Sequence, residues 1–493
     1  MLFHKNPDKL HSAAIIQEKR VVTFDQLSVS ATALAVQLQG LPRFSRVGIY
    51  IIPSPEFVVA LLGIWRAGHI AVPLCLSHPE EELGYVIGDA SISTVVKSRT
   101  IDTTAFGGLE SELSWLIADP DESGFGNFII PEEAAPALMV YTSGTTNRPK
   151  GVVLSHGNIK AQVSSLSEAW GWSSGDCILN VLPLHHVHGL INILCCALHN
   201  YACCVFQTKF DPVAVWNWFG KQDTVRRPTL FMAVPTIYSK LIAAWESASE
   251  DIQVLWSSYA RHLRLMVSGS AALPASLWHK WERITGQQLL ERYGMTEIGM
   301  ALSNPLSGIR KPGFVGKPLP GVNVSLRQDG KIISKAGEPG ELFVRGETVF
   351  REYWNKPEST KAAFTQDGWF MTGDIALFDS EGDYQILGRH SQDIIKSGGY
   401  KISALEIETA LLNHTEIAEC AVIGIPDEEW GERIAAAVVP KSHVLSDEEL
   451  KQFLKKYLAQ YKIPSRWFFT SSLPRNAMGK VVKPDLKARL IQG

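Results

Sequence analysis

Apolar and polar positions follow two alternating periods along the first three quarters of the chain. Short apolar runs such as residues 47–52 (VGIYII) have the length and β-branched content of buried strands, whereas residues 55–67 have the apolar spacing of a helix. Strands that alternate with helix-length segments favour parallel sheets, because each crossover between parallel strands needs a long connection. The pattern therefore predicts an α/β fold with helix-covered sheets in a large N-terminal domain.

The pattern changes in the last third of the chain. Residues from about 320 to 390 contain β-forming segments with glycine-bearing turns, such as 340–346 (GELFVRG), and predict a small β subdomain. A compact pattern of helices and strands follows, at residues 404–412, 417–425, 434–439 and 446–458. We therefore expect an N-terminal domain over 1–390 and a separate, mobile α+β domain over 391–493, which is a normal size for a domain.

Bulk composition limits the classes of partner. At 493 residues the chain is too long for one hydrophobic core, and a prior of about one domain per 150 residues predicts roughly two to four units. A net charge of -3 with intermixed signs gives no bulk field for nucleic acid or an anionic membrane. The longest apolar stretches are interrupted by Arg66 and His69 or by His199 and Asn200, so we expect no membrane span. Small molecules are the expected partners.

The seven cysteines bear on the cellular compartment. They include two adjacent pairs, Cys195 with Cys196 and Cys203 with Cys204, lie mostly within apolar sequence and lack C-x-x-C spacing. This pattern favours buried free thiols in a reducing compartment over zinc ligands or a disulfide framework. Residues 1–8 show no apolar signal core and no Arg/Ser-rich presequence, so we expect a cytoplasmic protein.

Residues 141–151 (YTSGTTNRPKG) form the most informative segment and follow the apolar run 137–140. Hydroxyls and backbone amides can hydrogen-bond phosphate oxygens, Gly144 lets the backbone come close, and Lys150 supplies a positive charge. Pro149 stands where a Walker P-loop has its second glycine, so the segment predicts a phosphate loop of another kind. A Ser/Thr-rich surface turn is the alternative for the T-S-G-T-T stretch taken alone.

Four later segments carry groups that suit a nucleotide. Residues 292–297 (RYGMTE) offer an aromatic face for a purine, a hydroxyl for a phosphate and a carboxylate for Mg²⁺. Residues 368–374 (GWFMTGD) end in a carboxylate that can accept from ribose hydroxyls. The paired glycines within 388–406 admit close ligand approach or a large backbone rotation, and 474–480 (PRNAMGK) ends in a lysine. Taken singly, each is also explained by a buried tyrosine, a solvated turn or a solvated lysine.

In this order the segments resemble those of the adenylate-forming superfamily, which includes acyl-CoA synthetases, firefly luciferases and peptide-synthetase adenylation domains. The resemblance covers nearly the whole chain and departs from the pattern at Asn147, where glycine is usual; asparagine tolerates positive φ, so we expect the turn to survive. It implies that ATP activates a carboxylic acid as an acyl-adenylate with release of pyrophosphate. Coenzyme A then takes the acyl group and releases AMP, so ATP, Mg²⁺ and coenzyme A are the implied requirements.

The resemblance also implies roles for matched positions. Glu297 binds Mg²⁺, Thr296 contacts the α-phosphate, and Lys150 and Lys480 neutralise charge during adenylation. Tyr293 stacks on adenine, and Asp374 with Arg389 holds the ribose. The remaining implied nucleotide contacts are Thr142, Ser143, Gly144, Thr145, Thr146 and Ser270.

The resemblance further places a hinge and a CoA contact between the two domains. Counting back from Asp393 puts the hinge at Gln392, although one residue more separates Gly388 from Asp393 than in most relatives. Gly398, Gly399 and Lys401 lie where family members meet CoA.

Two features bear on the acid. Residues 182–189 (LPLHHVHG) place histidines where peptide-synthetase domains often have an amine-binding aspartate, which disfavours an amino acid. Arg292 precedes the adenine tyrosine and so lies near the acyl pocket, where fatty and aromatic acyl enzymes generally have an uncharged residue. A guanidinium there can hold a second carboxylate in bidentate fashion. A salt bridge to a neighbouring acid is the alternative.

Residues 290–297, 300–305, 315–321 and 393–406 resemble the malonyl-CoA synthetases, including the acyl-CoA synthetase family member 3 type. Malonate would direct one carboxylate to ATP and the other to Arg292, with His186, His188 and Ser270 as further contacts. Methylmalonate stays an alternative, because one methyl in a pocket is worth only about 1–3 kcal/mol. The nucleotide motifs are also compatible with a short-chain, medium-chain or fatty acyl-CoA synthetase, a luciferase-like oxygenase and a catalytically silent nucleotide-binding protein.

Overall fold

The computed structural model describes residues 7–97, 110–111, 131–142, 149–221, 227–389, 393–397, 400–427, 429–441, 445–475 and 481–492. The helices in this part of the chain are α1 Phe24–Leu38, α2 Pro55–Arg66, α3 Glu80–Ala90, α4 His156–Ala169, α5 Cys196–His199, α6 Pro212–Gly220, α7 Pro235–Glu246, α8 Glu250–Ala260, α9 Ala275–Thr285, α10 Pro357–Ala362, α11 Ala404–Leu411, α12 Asp447–Leu454 and α13 Lys483–Gln492. A π-helix covers His188–Cys195, and 3-10 helices cover Pro7–Lys9 and Gln460–Lys462.

The described strands, in chain order, are β1 Ala13–Gln17, β2 Arg20–Thr23, β3 Arg46–Tyr50, β4 Ile70–Pro73, β5 Thr94–Lys97, β6 Glu110–Ser111, β7 Pro136–Thr142, β8 Lys150–Ser155, β9 Cys177–Asn180, β10 Cys203–Phe206, β11 Leu230–Ala233, β12 Leu265–Ser268, β13 Leu290–Met295, β14 Gly299–Ser303, β15 Lys317–Pro318, β16 Val322–Gln328, β17 Lys331–Ile332, β18 Gly340–Gly346, β19 Glu352–Tyr353, β20 Phe370–Phe378, β21 Tyr384–Arg389, β22 Ile394–Ser397, β23 Tyr400–Ser403, β24 Ile417–Asp427, β25 Gly431–Pro440 and β26 Arg466–Phe469.

Two large sheets form the N-terminal part of the fold. One has the strand order β15-β14-β13-β12-β11-β9-β10-β1-β2, and the other has the order β19-β8-β7-β4-β3-β5-β6. Their central pairs are parallel, which confirms the predicted helix-covered parallel sheets. Helix α2 begins with proline and buries every residue except Glu56, so it is apolar all round and belongs to the interior. One core cluster contains Val47 and Val140 of one sheet and Val267 of the other.

The predicted β-rich region contains a five-stranded antiparallel sheet of order β17-β16-β18-β20-β21. Its central strand β18 has the bounds that the sequence predicts. The sheet packs against the N-terminal part, because Val322, Leu342 and Phe370 belong to the same core cluster as the two large sheets. The middle of β20 thereby meets β13, where the Tyr293 hydroxyl bonds to Asp374.

The C-terminal part has its own sheet of order β23-β22-β25-β24, with β26 added alongside β25. Its core packs α11 and α12 on the sheet through residues such as Ile407, Leu450 and Val438. The predicted helix over 446–458 is too long, since α12 ends at Leu454. The next amides of Lys456 and Tyr457 bond to carbonyls three residues earlier, which tightens the last turn and ends the α-helix.

Two further predictions concern membrane-spanning helices and the cysteine thiols. No described helix has the length and apolar character that crossing a bilayer requires. All seven cysteines lie within the described ranges as free thiols, six of them buried, which confirms the prediction from their apolar surroundings.

Candidate active site

The phosphate loop connects two paired strands. Thr142 ends β7 and Lys150 begins β8, and these two residues face each other across the antiparallel pair. The hydroxyl of Tyr85 donates to the carbonyl of Pro149 over 3.0 Å, and that of Tyr141 donates to Asp89 over 2.7 Å. These bonds hold the ends of the loop in place. The predicted contacts Ser143, Gly144, Thr145 and Thr146 lie outside the described residues, as does Asn147.

Lys150 lies close to Glu297 through a shared tyrosine. Lys150 Nζ is 5.1 Å from the centroid of the Tyr353 ring and 3.5 Å from Ser359 Oγ. The Tyr353 hydroxyl donates to Glu297 Oε1 over 3.0 Å. Sequence reasoning missed Tyr353, because its place in the site comes from the pairing of β19 with β8 and no local spacing signals it. The arrangement puts the Lys150 cation over the Tyr353 ring and the Glu297 carboxylate at the hydroxyl of that ring.

Glu297 has the features of an oxygen ligand for a divalent cation. It is 7% exposed, and burial raises the pKa of its carboxyl, against hydrogen bonds from the backbone and Tyr353. No described lysine or arginine forms a salt bridge with it. Within the described residues no three His, Cys, Asp or Glu side chains form a metal-binding group. A single buried carboxylate suits Mg²⁺, which usually binds one or two carboxylates together with substrate phosphates.

Tyr293, Asp374 and Arg389 form a connected polar group. The Tyr293 hydroxyl donates to Asp374 Oδ2 over 2.5 Å, and Arg389 Nε donates to Asp374 Oδ1 over 2.9 Å. Burial and the neighbouring Asp374 charge raise the pKa of Tyr293, so its phenol is neutral at ordinary pH. Burial alone would lower the pKa of Arg389, but Asp374 outweighs burial and raises it. The structure thus brings together the three residues predicted for adenine and ribose.

Arg292, Ser270 and His188 meet beside this group. Arg292 Nη2 donates to Ser270 Oγ over 3.3 Å, and Ser270 Oγ lies 3.2 Å from His188 Nδ1. Ser270 follows β12 with a φ of +68°, a left-handed conformation that is uncommon for residues other than glycine. Such conformations cluster at ligand sites, where the surrounding structure maintains them. Here the unusual backbone directs the serine hydroxyl between the other two side chains.

The charge on Arg292 is not compensated by any described carboxylate. Arg292 is 3% exposed and His188 is 5% exposed, and Arg292 Nε and His188 Nε2 have no hydrogen-bond partner among the described residues. Burial lowers the pKa of Arg292 to about 9, so the guanidinium is still charged at neutral pH. Burial, together with Arg292 and His186, lowers the pKa of His188 well below its usual range. An unpaired buried charge is costly, so the site suits an anion. The alternative of a salt bridge is therefore absent from the described structure.

The absence of a side chain at Gly269 leaves the space that the Arg292 guanidinium occupies. A Cβ at position 269 would lie 2.6 Å from Arg292 Cζ, so a side chain there would displace the guanidinium. The sequence analysis assigned the neighbouring Ser270 to the pocket but gave Gly269 no role of its own. Its only local signal is its position between two serines at the end of a strand.

The histidine segment enters the site at the start of the π-helix. His188 is the first residue of that helix, whose wider turns are frequent at functional sites. His186 is half-buried, and its ring centroid lies 4.2 Å from that of His185. Thr296 lines a small cavity with Asn192, close to the middle of the π-helix. The cavity is also lined by Val187, between His186 and His188, so Thr296 lies close to the histidine segment.

The linker to the C-terminal part is fixed by a buried ionic group. Lys483 Nζ lies 2.5 Å from Asp393 Oδ1 and 2.7 Å from Glu408 Oε1. Asp393 also accepts a hydrogen bond from the amide of Arg389 over 3.0 Å. Helix α13 is thereby attached to the linker. Lys401 lies in β23, whereas Gln392, Gly398, Gly399 and Lys480 lie outside the described residues.

The chain is similar to known proteins over nearly its whole length. The chain matches the model of the AMP-binding enzyme family over residues 3–354 and that of the AMP-binding enzyme C-terminal domain over 406–480. It is 44% identical to a malonate–CoA ligase of Arabidopsis thaliana, covering 92% of this chain and 79% of that protein. It is 43% identical to the mitochondrial malonate–CoA ligase ACSF3 of Xenopus laevis, covering 98% of this chain and 91% of that protein.

The fold is similar to that of a solved relative. The crystal structure of ATP-bound MatB from Rhodopseudomonas palustris superposes with a TM-score of 0.88 and 32% identity, covering 99% of this chain and 97% of that one. The two chains thus correspond over both the N-terminal and C-terminal parts. The family model accounts for more than half of the chain, and the described α/β architecture is the one that the sequence predicts. The chain therefore belongs to the AMP-binding enzyme family.

Proposed function

We propose that the protein is an ATP-dependent malonate–CoA ligase, an acid–thiol ligase that forms malonyl-CoA through malonyl-adenylate. The observation that carries this proposal is Arg292, which is buried and charged and has no described carboxylate partner. It adjoins Tyr293 and lies five residues before Glu297, so the acid pocket is next to the nucleotide groups. The names of the relatives at 43–44% identity support the same acid.

The second carboxylate of malonate would accept hydrogen bonds from Arg292 and from His188 Nε2, while the Ser270 hydroxyl donates its single proton to His188 Nδ1 and so fixes that tautomer. Arg292 Nε and its terminal nitrogens form a planar fork that suits a carboxylate, and His188 Nε2 and the Ser270 hydroxyl lie within the same group. His186 is a further contact on the neighbouring segment. A fatty acid would place an apolar chain against the guanidinium and leave the charge unpaired, which is costly. Because only a second carboxylate pairs the Arg292 charge, the pocket favours a short dicarboxylic acid, with methylmalonate as a second substrate.

Adenylation gives the carboxylic acid a good leaving group, AMP. A free carboxylate is a poor acyl donor, because oxide does not leave and the negative charge repels nucleophiles. In the first step a carboxylate oxygen of malonate attacks the α-phosphorus of ATP, and the bond to pyrophosphate breaks. In the second step the CoA thiol loses its proton and attacks the acyl carbon, and AMP leaves.

The chain's own residues hold and neutralise the reacting groups in this scheme. Lys150 and the hydroxyls and amides of Thr142, Ser143, Gly144, Thr145 and Thr146 would bind the leaving phosphates. Thr296 would contact the α-phosphate, and Lys480 would neutralise charge where the carboxylate meets it. Glu297 would hold Mg²⁺, since its buried carboxylate has no described cationic partner. When bound, Mg²⁺ would draw off charge from the phosphate oxygens.

The nucleoside and CoA contacts complete the proposal. The Tyr293 ring would pack on adenine, while Asp374 and Arg389 would hold the ribose hydroxyls. Gly398, Gly399 and Lys401 would meet CoA after the C-terminal domain rotates about Gln392. This scheme uses the domain boundaries 1–390 and 391–493. The paired glycines near the linker supply the backbone freedom that such a rotation needs.

We further propose a cytoplasmic location. Free thiols at all seven cysteines suit a reducing compartment. The Xenopus laevis relative is named as mitochondrial, so mitochondria are the competing location. Fractionation with antibodies against the full-length protein distinguishes the two, and recovery with the mitochondrial matrix would reject the cytoplasmic assignment.

A thioester assay tests the proposed reaction. The purified protein is incubated with Mg-ATP, CoA and, in turn, acetate, malonate, methylmalonate, succinate and octanoate, and pyrophosphate and acyl-CoA are quantified. We expect the highest kcat/KM with malonate. The highest value with octanoate would instead indicate a fatty acyl-CoA synthetase. Pyrophosphate release with none of the acids would favour a catalytically silent nucleotide-binding protein.

A further inference from the structure

Asp89 joins helix α3 to the strand that enters the phosphate loop. It is the last residue but one of α3, and its side chain is largely buried. Asp89 Oδ2 accepts the hydrogen bond from the Tyr141 hydroxyl over 2.7 Å, and Asp89 Oδ1 lies 3.4 Å from the Tyr85 hydroxyl. The Tyr85 hydroxyl donates to the carbonyl of Pro149 over 3.0 Å. One carboxylate therefore contacts both tyrosines that hold the ends of the loop.

The backbone on both sides of Lys150 is held by neighbours of Asp89. On one side, the carbonyl of Pro149 accepts the tyrosine hydrogen bond. On the other side, the carbonyl of Gly151 accepts from the backbone amide of Trp354 over 2.8 Å. The indole of Trp354 in turn donates to the backbone carbonyl of Asp89 over 3.0 Å. The position of the Lys150 backbone thus depends on groups that meet at Asp89.

The ring of Tyr141 lies across both strands that flank the loop. Tyr141 of β7 pairs with Gly151 of β8 in the antiparallel ladder. A Cβ at position 151 would lie 3.1 Å from Tyr141 Cζ, so the glycine lets the ring lie close over the β8 backbone. Burial and the hydrogen bond to Asp89 raise the pKa of Tyr141, so its phenol is a neutral donor at ordinary pH. The bond to Asp89 therefore fixes a ring that contacts the residue after Lys150.

The helix itself does not explain a carboxylate at this position. The C-terminal end of a helix carries partial negative charge, which disfavours an acidic residue in the last turn. At the end of α3, Arg46 supplies the favourable charge and donates to the carbonyls of Ala90 and Ser91 over 2.9 Å each. Lys356 Nζ lies 3.6 Å from Asp89 Oδ1 but is one-third exposed, so solvent weakens this ion pair. The contacts with the loop strands are the stronger reason for the carboxylate.

The segment that carries Trp354 also reaches the proposed metal ligand. Tyr353 immediately precedes Trp354, and the centroid of its ring lies 5.1 Å from Lys150 Nζ. The Tyr353 hydroxyl donates to Glu297 Oε1 over 3.0 Å. Asp89 is therefore connected to Lys150 along two routes, one through the backbone of β8 and one through this segment.

We propose that Asp89 is a positioning residue that places Lys150 for binding the leaving phosphates of ATP. Asp89 acts through Tyr141, Tyr85 and Trp354, and it touches no substrate itself. This role rests on the proposed adenylation step, in which Lys150 binds those phosphates. It does not depend on which acid is activated.

ATP and AMP should respond differently to a change at Asp89. ATP carries the phosphates that Lys150 would bind, whereas AMP lacks them. The proposed contacts of AMP are Tyr293, Asp374 and Arg389, which form their own hydrogen-bonded group. A defect confined to the position of Lys150 therefore weakens ATP alone, whereas a general loss of structure weakens both nucleotides.

Calorimetry on the full chain tests this difference. Mg-ATP and AMP are titrated separately, without acid or CoA, into the wild type and each variant. In Asp89→Ala we expect the Kd for ATP to rise about tenfold, because a hydrogen bond to a carboxylate is among the stronger ones, while the Kd for AMP stays unchanged. Tyr141→Phe, which removes only the hydroxyl, should reproduce this result. Asp89→Asn keeps an acceptor oxygen and should recover most of the affinity for ATP.

Combining the two substitutions tests the route through Tyr141. If Asp89 acts through this hydroxyl, the variant with both Asp89→Ala and Tyr141→Phe should bind ATP only slightly more weakly than either single variant. Two effects that multiply would show that the residues act independently and would contradict this route. Should Asp89→Ala fail to fold, Tyr141→Phe still has to separate ATP from AMP.

Asp176→Asn is the matched control for loss of a buried aspartate. Asp176 precedes β9 and forms a bidentate pair with Arg264, so its replacement should lower the Tm without changing the ratio of the two Kd values. Equal weakening of ATP and AMP in the Asp89 variants, or unchanged ATP binding, would overturn the positioning role. A wild type that binds no ATP would reject the adenylation step and this role together. ATP binding without malonate turnover would reject only the proposed acid.

Discussion

Arg292 donates a hydrogen bond to the hydroxyl of Ser270 over 3.3 Å and forms no salt bridge with a described carboxylate. A neutral hydroxyl cannot neutralise a guanidinium. The pair therefore forms one half of an anion site, and the ligand has to supply the other half.

Replacing Arg292 with alanine should remove malonate activity. We expect kcat/KM for malonate to fall roughly 100-fold or more, because truncating one partner of a buried charge pair costs about 2–5 kcal/mol. The kcat/KM of Arg292→Lys should lie between those of the wild type and Arg292→Ala, since lysine keeps the charge but lacks the planar fork. Steady-state kinetics gives the rates, and calorimetry should show unchanged ATP binding. Wild-type malonate rates in Arg292→Ala would reject the pocket assignment.

The same uncompensated charge should reduce the stability of the ligand-free protein. Arg292→Met is expected to stabilise it by roughly 1–4 kcal/mol, because a buried charge is replaced by an apolar side chain of similar length. Thermal unfolding measures the change, and malonate should raise the Tm of the wild type alone. Arg264→Met is the matched control. Arg264 forms a bidentate pair with the buried Asp176 at 2.7 and 2.8 Å, so its loss should destabilise the protein.

Glu291 should make stability depend on pH. Burial raises the pKa of its carboxyl to about 8, against an opposing hydrogen bond from the Gly313 amide. Between the ordinary pKa of about 4.3 and pH 8 the folded state holds a proton that the unfolded state has lost. The contribution of Glu291 to the free energy of unfolding is therefore fully present below about pH 4.3 and decreases as the pH rises to about 8.

The variant Glu291→Gln isolates this effect, because glutamine imitates the neutral carboxyl and does not titrate. The Tm of the wild type should fall relative to that of the variant as pH rises from 5 to 8. Differential scanning calorimetry at the two pH values provides the comparison. Parallel pH profiles for the two proteins would show that Glu291 is already ionised in the fold.

The Tyr353 hydroxyl should affect the Mg²⁺-dependent step through its hydrogen bond to Glu297. Tyr353→Phe removes the hydrogen bond to Glu297 and keeps the ring beside Lys150. A hydrogen bond to a charged group is worth about 1.5–3 kcal/mol, so we expect roughly a tenfold loss in kcat/KM and a changed Mg²⁺ requirement. Titration of activity with Mg²⁺ measures both. Tyr353→Leu, which also loses the ring, should be worse, and equal activity of Tyr353→Phe and wild type would contradict the contact.

Lys483 should hold helix α13 to the linker. Lys483→Met leaves the carboxylates of Asp393 and Glu408 unpaired, and because the three side chains are 12–15% exposed, breaking this largely buried group costs up to about 3–5 kcal/mol. Hydrogen exchange should show faster opening of α13 in this variant. Lys487→Met is the control, because Lys487 is partly exposed and lies 3.5 Å from Glu432. Equal exchange in both variants would reject the role of Lys483.

Local pattern predicts the parts of the site that lie within one segment. The strand that enters the phosphate loop, the β-rich region and the charged position before Tyr293 are all legible from the order of residues. Tyr353, Gly269 and the left-handed backbone of Ser270 are not, because each acquires its role from strand pairing or packing between distant segments. The predicted roles of Lys480 and the loop residues 143–146 rest on their motifs alone.

The space under the guanidinium restricts how this site can evolve. Because a Cβ at position 269 would lie 2.6 Å from Arg292 Cζ, a larger residue at 269 displaces the guanidinium for as long as the arginine is present. Substitutions at the two positions are therefore not interchangeable in order, and the reverse order passes through a damaged intermediate. A change from a dicarboxylic to a monocarboxylic acid that begins at Arg292 removes this conflict and leaves Gly269 free to vary.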